Sequence, residues 1–311
     1  MSLFQLIDMS KVPVPDIIEK PSFEDKFSEL KALAVSLHPE SETTLELESE
    51  PLTKLLQVFS YRELHLIGFF NDGTRANILA SATGSDLEGL ASRYNITRLV
   101  VQEEDNSATP PIPAVMESDD ALRRRTQMAF NGLNTAGSID SYVFFALGSD
   151  GLVLDAYANS PAPCEMNLYL LSHEGNGQPS QNLIEKVRAT FGLTPDGLSQ
   201  LPEPSKIRPQ GDRVRVLPAT IIEYQVEAEV FIKPGPDAEV VFSKAMDALN
   251  KYIEDNHKLG SDITRSGIFA ALHQPGTHNV QVTKPASDLS IDKTEAPYCI
   301  AVNVTLGGIS E

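Results

Sequence analysis

The sequence predicts an α+β protein: an N-terminal helical arm and bundle segment, followed by two small α/β sandwich-like domains with mainly antiparallel sheets. Apolar residues recur at helical spacing through the first hundred positions. The acidic, Pro-rich stretch QEEDNSATPPIPAVME then breaks the pattern at 101–117, and a second stretch rich in Pro, Gly and Ser runs over 192–212. Beyond it the pattern changes to strict alternation, as in a half-buried strand. The expected divisions are 1–100, 101–212 and 213–311.

The first 21 residues read as an extended arm, because Pro13, Pro15 and Pro21 each disfavour helix just before them. Ser22 caps a helix whose stripe is Phe23, Phe27, Leu30, Ala34 and Leu37, and Pro39 ends it. A longer helix is expected over 50–70. Glu48, Glu50 and Pro51 suit its start, since acids favour a helix N-terminus and proline fits the first turn. Leu52, Leu56, Phe59, Leu66 and Phe70 form one stripe, and Leu55, Leu64, Ile67 and Phe69 widen it beyond one face. A helix apolar on several faces must be covered on several faces, and its short neighbours are too small to do so. Ser85 and Glu88 then stand at capping-box spacing.

In the middle region a helix is expected from Ser118 to Phe130, with Asp119–Arg123 and Asp120–Arg124 as ion pairs four apart. Strands follow at 152–159 and 165–172, and Leu183, Ile184, Val187 and Phe191 mark another helix. Near the C-terminus Ile222, Tyr224, Val226, Ala228, Val230 and Ile232 alternate with Glu223, Gln225, Glu227 and Glu229. Pro234-Gly235-Pro236-Asp237 turns into a helix carrying Val241, Ala245, Leu249 and Tyr252, which Gly260 stops. Asp262 caps a short helix through Ile268 and Leu272, and strands return at 278–284 and 298–306. The order β-α-α-β-β implies an antiparallel sheet with helices on one face.

The 311 residues are 41% apolar and 22% charged, which fits a folded soluble chain of about two domains. With 25 Lys plus Arg against 43 Asp plus Glu, the net charge is −18, so no nucleic-acid or anionic-membrane partner is expected. Such a surface keeps free subunits apart and steers them toward basic partners. Cys164 and Cys299 are too few and too distant for a disulfide framework; both read as buried small apolar residues in a reducing compartment. The start, MSLFQLIDMSK, lacks a secretory pattern, and the longest uncharged apolar run, Tyr142 to Leu147, is far shorter than a membrane span. Synthesis and assembly in a cytoplasm are expected.

No phosphate-binding loop, dinucleotide fingerprint or nucleophile elbow occurs. Of the histidines, His273 and His278 with Cys299 come nearest to a metal set, but Gln274-Pro275-Gly276-Thr277 between them reads as a turn and structural zinc sites use tighter pairs. Arg123, Arg124 and Arg125 point about 100° apart on a helix and form no single anion patch. The acids Glu223, Glu227 and Glu229 read as a solvated sheet face. No catalytic residue, metal or cofactor is therefore expected; the alternative is a hydrolase whose catalytic set assembles only in three dimensions.

Taken together, several stretches resemble the baseplate J family of contractile-tailed phages. They are IDMSKVPVPDIIEKPSFEDKFSELKA (7–32), LELESEPLTKLLQVFSYREL (45–64), LASATGSDLEGLASRYNITRLV (79–100) and PPIPAVMESDDALRRRTQMAFNGLNTAG (110–137). SHEGNGQPS (172–180), LGSDITRSGIFAALHQPG (259–276) and DKTEAPYCIAVNVTLGGISE (292–311) continue in family order. Ser138-Ile139-Asp140 replaces a Pro-Thr-Gly-like turn, and 192–207 looks like an insertion. The resemblance implies a structural baseplate wedge protein in the virion tail, with no cofactor. Its implied partners are a second copy of itself and an I-type wedge subunit in a bundle of long helices, with a W-type sheath-initiating subunit on that bundle; the other domains would link wedges into a ring. The helix at 50–70 holds the bundle position, which agrees with its excess apolar surface. Leu52, Leu55, Leu56, Phe59, Leu66 and Phe70 are the candidate interface residues.

Overall fold

A computed structural model describes residues 6–14, 16, 18–107, 109–133, 135, 137–203, 205–235 and 237–309. The prolines expected to act at 15 and 236 lie outside the described residues, as does the start of the arm at 1–5. The protein is α+β and forms two compact units: residues 5–97 with 118–126, and residues 98–117 with 127–311.

The first unit is helical. Its helix α1, Phe23–Leu37, begins at Ser22, whose hydroxyl accepts from the Asp25 N–H while the Asp25 carboxylate accepts from the Ser22 N–H. Ser22 is the cap expected from the sequence; its reciprocal bond with Asp25 satisfies two donors that a helix end leaves open. A short α2, Glu42–Leu45, leads into α3, Pro51–Arg75, and then α4, Gly84–Ser92. The helix α3 starts where expected but runs a full turn past residue 70. The sequence Asn71-Asp72-Gly73 reads as a turn, yet tertiary contacts hold it helical. The Asn71 side chain accepts from the Ile18 N–H at 3.1 Å and donates to the Ile18 carbonyl at 2.8 Å, and Arg75 pairs with Asp16. The arm, which is not extended throughout but carries a short 3-10 helix at Met9–Lys11, is thereby fastened at Asp16 and Ile18 to the end of α3.

The helix α4 is capped at Thr83, not Ser85, and the Gly84 N–H donates to the Asp119 carboxylate. That carboxylate belongs to the start of α5, Asp119–Gln127. Arg123 pairs with Asp120, three residues away. Its guanidinium also donates to the Leu79 and Ala82 carbonyls, while buried Arg125 donates to the Thr97 carbonyl. Arg123 and Arg125 thus close open backbone acceptors, a structural use for two of the three arginines on this short helix. The apolar core of this unit is Leu87, Leu90, Ala91, Ile96 and Leu122, on α4 and α5 and beside them, with Leu45 from α2.

The second unit opens with β1, Val100–Gln102, paired antiparallel with β2, Val115–Met116, and an Asp105–Ile112 bridge. The Pro-rich break is thus a paired ribbon, and the chain passes between units on either side of it. A helix not anticipated from the sequence, α6, Ile139–Leu147, follows. Its Tyr142, Val143, Ala146 and Leu147 are buried, and the Tyr142 hydroxyl donates to Asp212 at 2.6 Å. Burial pushes the Tyr142 phenol well above its usual range, with the Asp212 hydrogen bond adding to it. The strands β3, Val153–Asn159, and β4, Glu165–Ser172, form an antiparallel hairpin as expected.

From β4 the chain passes through α7, Gln181–Thr190, to β5, Arg213–Pro218, which pairs parallel to β4. A parallel neighbour requires such a helical crossover. Arg213–Pro218, on the C-terminal side of the expected division at 212/213, completes the sheet of order β3-β4-β5. Its alternation of Arg213, Val214, Arg215 and Val216 was the available signal, with the valines buried and the arginines exposed.

The last sheet has the order β7-β6-β8, with β6 at Thr220–Ile232, β7 at Thr277–Lys284 and β8 at Glu295–Ile309. The expected alternation holds in β6: Tyr224, Val226, Ala228, Val230 and Ile232 are buried. They meet Val241, Ala245 and Leu249 of α8, Ala238–Asn256, and Ile268 and Leu272 of α9, Arg265–Leu272. On the opposite face Glu223 and Glu229 are exposed and Glu227 pairs with Lys284 at 2.9 Å. Thr264, not Asp262, caps α9; Asp262 accepts from the Ile291 N–H instead. The sheet is not wholly antiparallel as expected: β8 runs parallel to β6. The chain after β7 crosses to the far side of β6 before re-entering the sheet, so strand direction there follows from the connection, which alternation does not encode.

Candidate partner interface

The helix α3 is about 37 Å long at a rise of about 1.5 Å per residue. Its buried residues are polar, Thr53, Ser60 and Asn71. Small or hydrogen-bonded side chains suit this side, where α1 packs against α3: Phe23 lies over Tyr61 with ring centroids 4.5 Å apart, and Lys26 reaches Glu63 at 3.5 Å. Ser60 returns its hydroxyl to the Leu56 carbonyl.

The large apolar residues lie on the other side. Leu55, Phe59, Leu66 and Phe70 are 49%, 51%, 53% and 55% exposed, Phe69 is 70% exposed, and Leu52 is 39% exposed. Positions 52, 55, 59, 66 and 69 fall on an alternating three-four spacing, the repeat that keeps one seam of a helix facing a neighbouring helix. Val58 and Phe70 widen the seam. Of the six candidate residues the structure groups five, Leu52, Leu55, Phe59, Leu66 and Phe70, on this ridge. Leu56 is set apart: it is half-buried on the side of Thr53 and Ser60, because one residue off the seam turns the side chain by about 100°. Leu64 and Ile67 turn the same way and are half-buried.

On the flank of the ridge a recess of about 340 Å³ is lined by Lys20, Tyr61, Leu64, His65, Gly68, Phe69 and Asp72. Gly68 forms part of its wall, and a Cβ there would meet nothing within 4 Å. A glycine inside a helix is destabilising relative to alanine, and no contact in the described residues requires it. In the sequence it stands only as an isolated glycine within a helical pattern. The helix α1 buries none of its own residues fully and exposes Leu33 and Leu37, so the arm segment carries apolar surface beyond α3.

The titratable groups elsewhere are arranged differently. In the second unit Leu154, His173, Ile253, Glu254, His257, Pro297, Tyr298 and Cys299 line a pocket of about 400 Å³. Desolvation, and then the neighbouring His257, lowers the pKa of His173. The His257 ring nitrogen Nδ1 lies 2.7 Å from the Pro297 carbonyl, to which it donates. Burial raises the Cys299 thiol, and its Sγ donates to the Ala301 carbonyl. A thiol raised and held as a donor is a poor nucleophile.

The structure places Cys299 here, apart from His273 and His278, which are exposed. Among the described residues no three His, Cys, Asp or Glu side chains converge as metal ligands do. Cys164 corrects the expectation of burial: it is exposed, at a left-handed φ of 61° in the turn before β4. No helix among the described residues is long and apolar enough to cross a membrane.

The Baseplate J-like N-terminal domain matches residues 48–105, from the approach to α3 through β1, and the Baseplate J-like protein C-terminal domain matches residues 224–305, spanning the last sheet and its helices. Baseplate protein J of Escherichia phage P2 is 40% identical, over an alignment covering 98% of this chain and 99% of that protein. The two family domains match in order, and the relative is 40% identical over nearly the whole chain: the chain belongs to the baseplate J family.

Proposed function

We propose that the chain is a structural protein of a phage contractile-tail baseplate, a wedge subunit and not an enzyme, assembled in the host cytoplasm and carried in the virion tail. Its α3 enters an intermolecular helical bundle with a second copy or the I-type wedge subunit, and the W-type sheath-initiating subunit sits on that bundle. The domains that follow link neighbouring wedges. The observation that carries this reading is the inverted helix α3, which buries Thr53, Ser60 and Asn71 and exposes Leu55, Phe59, Leu66, Phe69 and Phe70. A large exposed apolar surface marks a site of association. Each such side chain contributes about 1.5–3 kcal/mol when fully buried.

The test is co-purification of the full chain with the I-type subunit of the same phage. Phe59→Asp and Leu66→Asp each place a charge on the ridge while leaving the α1-facing side intact. Both are expected to stay folded by circular dichroism and to lose the complex. Undiminished recovery of the complex by both variants would remove the bundle reading.

A further inference from the structure

Arg62 interrupts the apolar ridge of α3 near its midpoint. By helical spacing it lies in the row of Leu55, Phe59, Leu66 and Phe69, one turn from Phe59 on one side and Leu66 on the other. It is exposed, and among the described residues nothing pairs with it. The residues three and four positions away are Val58, Phe59, His65 and Leu66, none of them acidic. Neighbouring Glu63 turns toward α1 and is within 3.5 Å of Lys26. Asp72 lies on the flank with Tyr61 and His65, around the recess. The ridge therefore carries one cation and no acid, on a chain whose net charge is −18.

A cation covered by a partner must meet an opposite charge, or the desolvation it suffers goes uncompensated. Resting on the bundle reading above, we propose that Arg62 sets the register and the partner of this ridge: the helix that covers it belongs to a different chain and presents an apolar row with a carboxylate opposite Arg62. With ridge laid on ridge, a second copy of α3 does not supply that group. In a parallel pair Arg62 meets Arg62. In an antiparallel pair that lays the ridge 52–69 on itself, Leu52 faces Phe69, Leu55 faces Leu66, and Arg62 faces Phe59. The acids just upstream, Glu48 and Glu50, reach Arg62 only if the overlap is cut back to the first half of the helix, which leaves Leu66, Phe69 and Phe70 uncovered. A single polar position in an apolar seam is a known way to specify partner and register at some cost in stability.

The test uses the full-length chain, with the I-type subunit of the same phage as the probe. Arg62→Glu is expected to lower the recovered complex at least tenfold, and one Asp or Glu to Lys change in a helix of the probe is expected to restore it. Arg62→Leu completes an all-apolar ridge, so the chain alone is expected to gain a concentration-dependent dimer in sedimentation velocity, which adding Phe59→Asp abolishes. Circular dichroism confirms folding of each variant. If Phe59→Asp loses the probe while Arg62→Glu and Arg62→Leu keep it as tightly as the parent, the ridge is an interface but the proposed pairing is overturned. A parent chain that dimerises through the ridge as tightly as Arg62→Leu overturns it as well. If Phe59→Asp also keeps the probe, the bundle reading itself falls and this inference with it.

Discussion

Leu56 and Phe59 stand less than one turn apart on α3, yet they serve different neighbours. Leu56 is half-buried beside Thr53 and Ser60, whereas Phe59 is half-exposed on the ridge. The same charge introduced at the two sites should therefore have different consequences. Leu56→Asp is expected to destabilise the helical unit by about 2–4 kcal/mol, since it removes apolar burial and adds a poorly solvated carboxylate. Phe59→Asp in the isolated chain is expected to change stability by no more than about 0.5 kcal/mol, as surface substitutions do. Urea unfolding followed by circular dichroism measures both. Equal losses would place the two residues on one face. From the sequence the two looked alike, because a helix apolar on several faces gives no sign of which face its own chain covers. That Thr53, Ser60 and Asn71 occupy the covered side was invisible for the same reason: spacing marks a face, and only packing says what lies against it.

At the scale of an element, α3 shows what local pattern decides and where it stops. Its start at Pro51 followed from proline and acidic residues at the N-terminus, and its extension through Asn71-Asp72-Gly73 followed from the arm bonded to Asn71. Gly68 within it is a local cost with no local return. Gly68→Ala is expected to stabilise the chain by about 1 kcal/mol, the ordinary helical difference between the two residues, since a Cβ there has open space. Gly68→Leu should likewise fold but fill the recess beside Tyr61 and Phe69 and weaken recovery of the bundle complex. Thermal unfolding and the co-purification assay read the two effects separately. A destabilised Gly68→Ala chain would mean that an intramolecular contact fills that space. Other elements were legible to differing degrees. The hairpin of β3 and β4, the strand β6 and the capped helix α1 stood out, because alternation and capping are local. The helix α6 did not: a short uncharged run does not distinguish helix from strand, and its burial on several sides depends on the core around Tyr142.

For the whole molecule, charge and composition bounded the function, while connectivity required the structure. The sheet of β6, β7 and β8 with α8 and α9 closes a core of its own, including Val226, Val230, Ile232, Ala245, Leu249, Ile263 and Ile268. Because β5 belongs with β4, the fragment carrying that core begins at 219, not 213. Residues 219–311 are expected to unfold in one cooperative transition in urea, somewhat weakened by loss of the small cluster in which Ala219 and Ala296 meet Leu171. A fragment without a cooperative transition would show that this core needs the middle sheet.

The sequence by itself determined the α+β class, most elements, the acidic surface and the family resemblance, all of which rest on the order and periodicity of residues. Only the tertiary structure decided that β5 joins β4, that β8 runs parallel to β6, and that α3 turns its polar side inward and its apolar ridge outward. Each of these depends on which distant segment lies alongside, and periodicity along one segment carries no information about its neighbour.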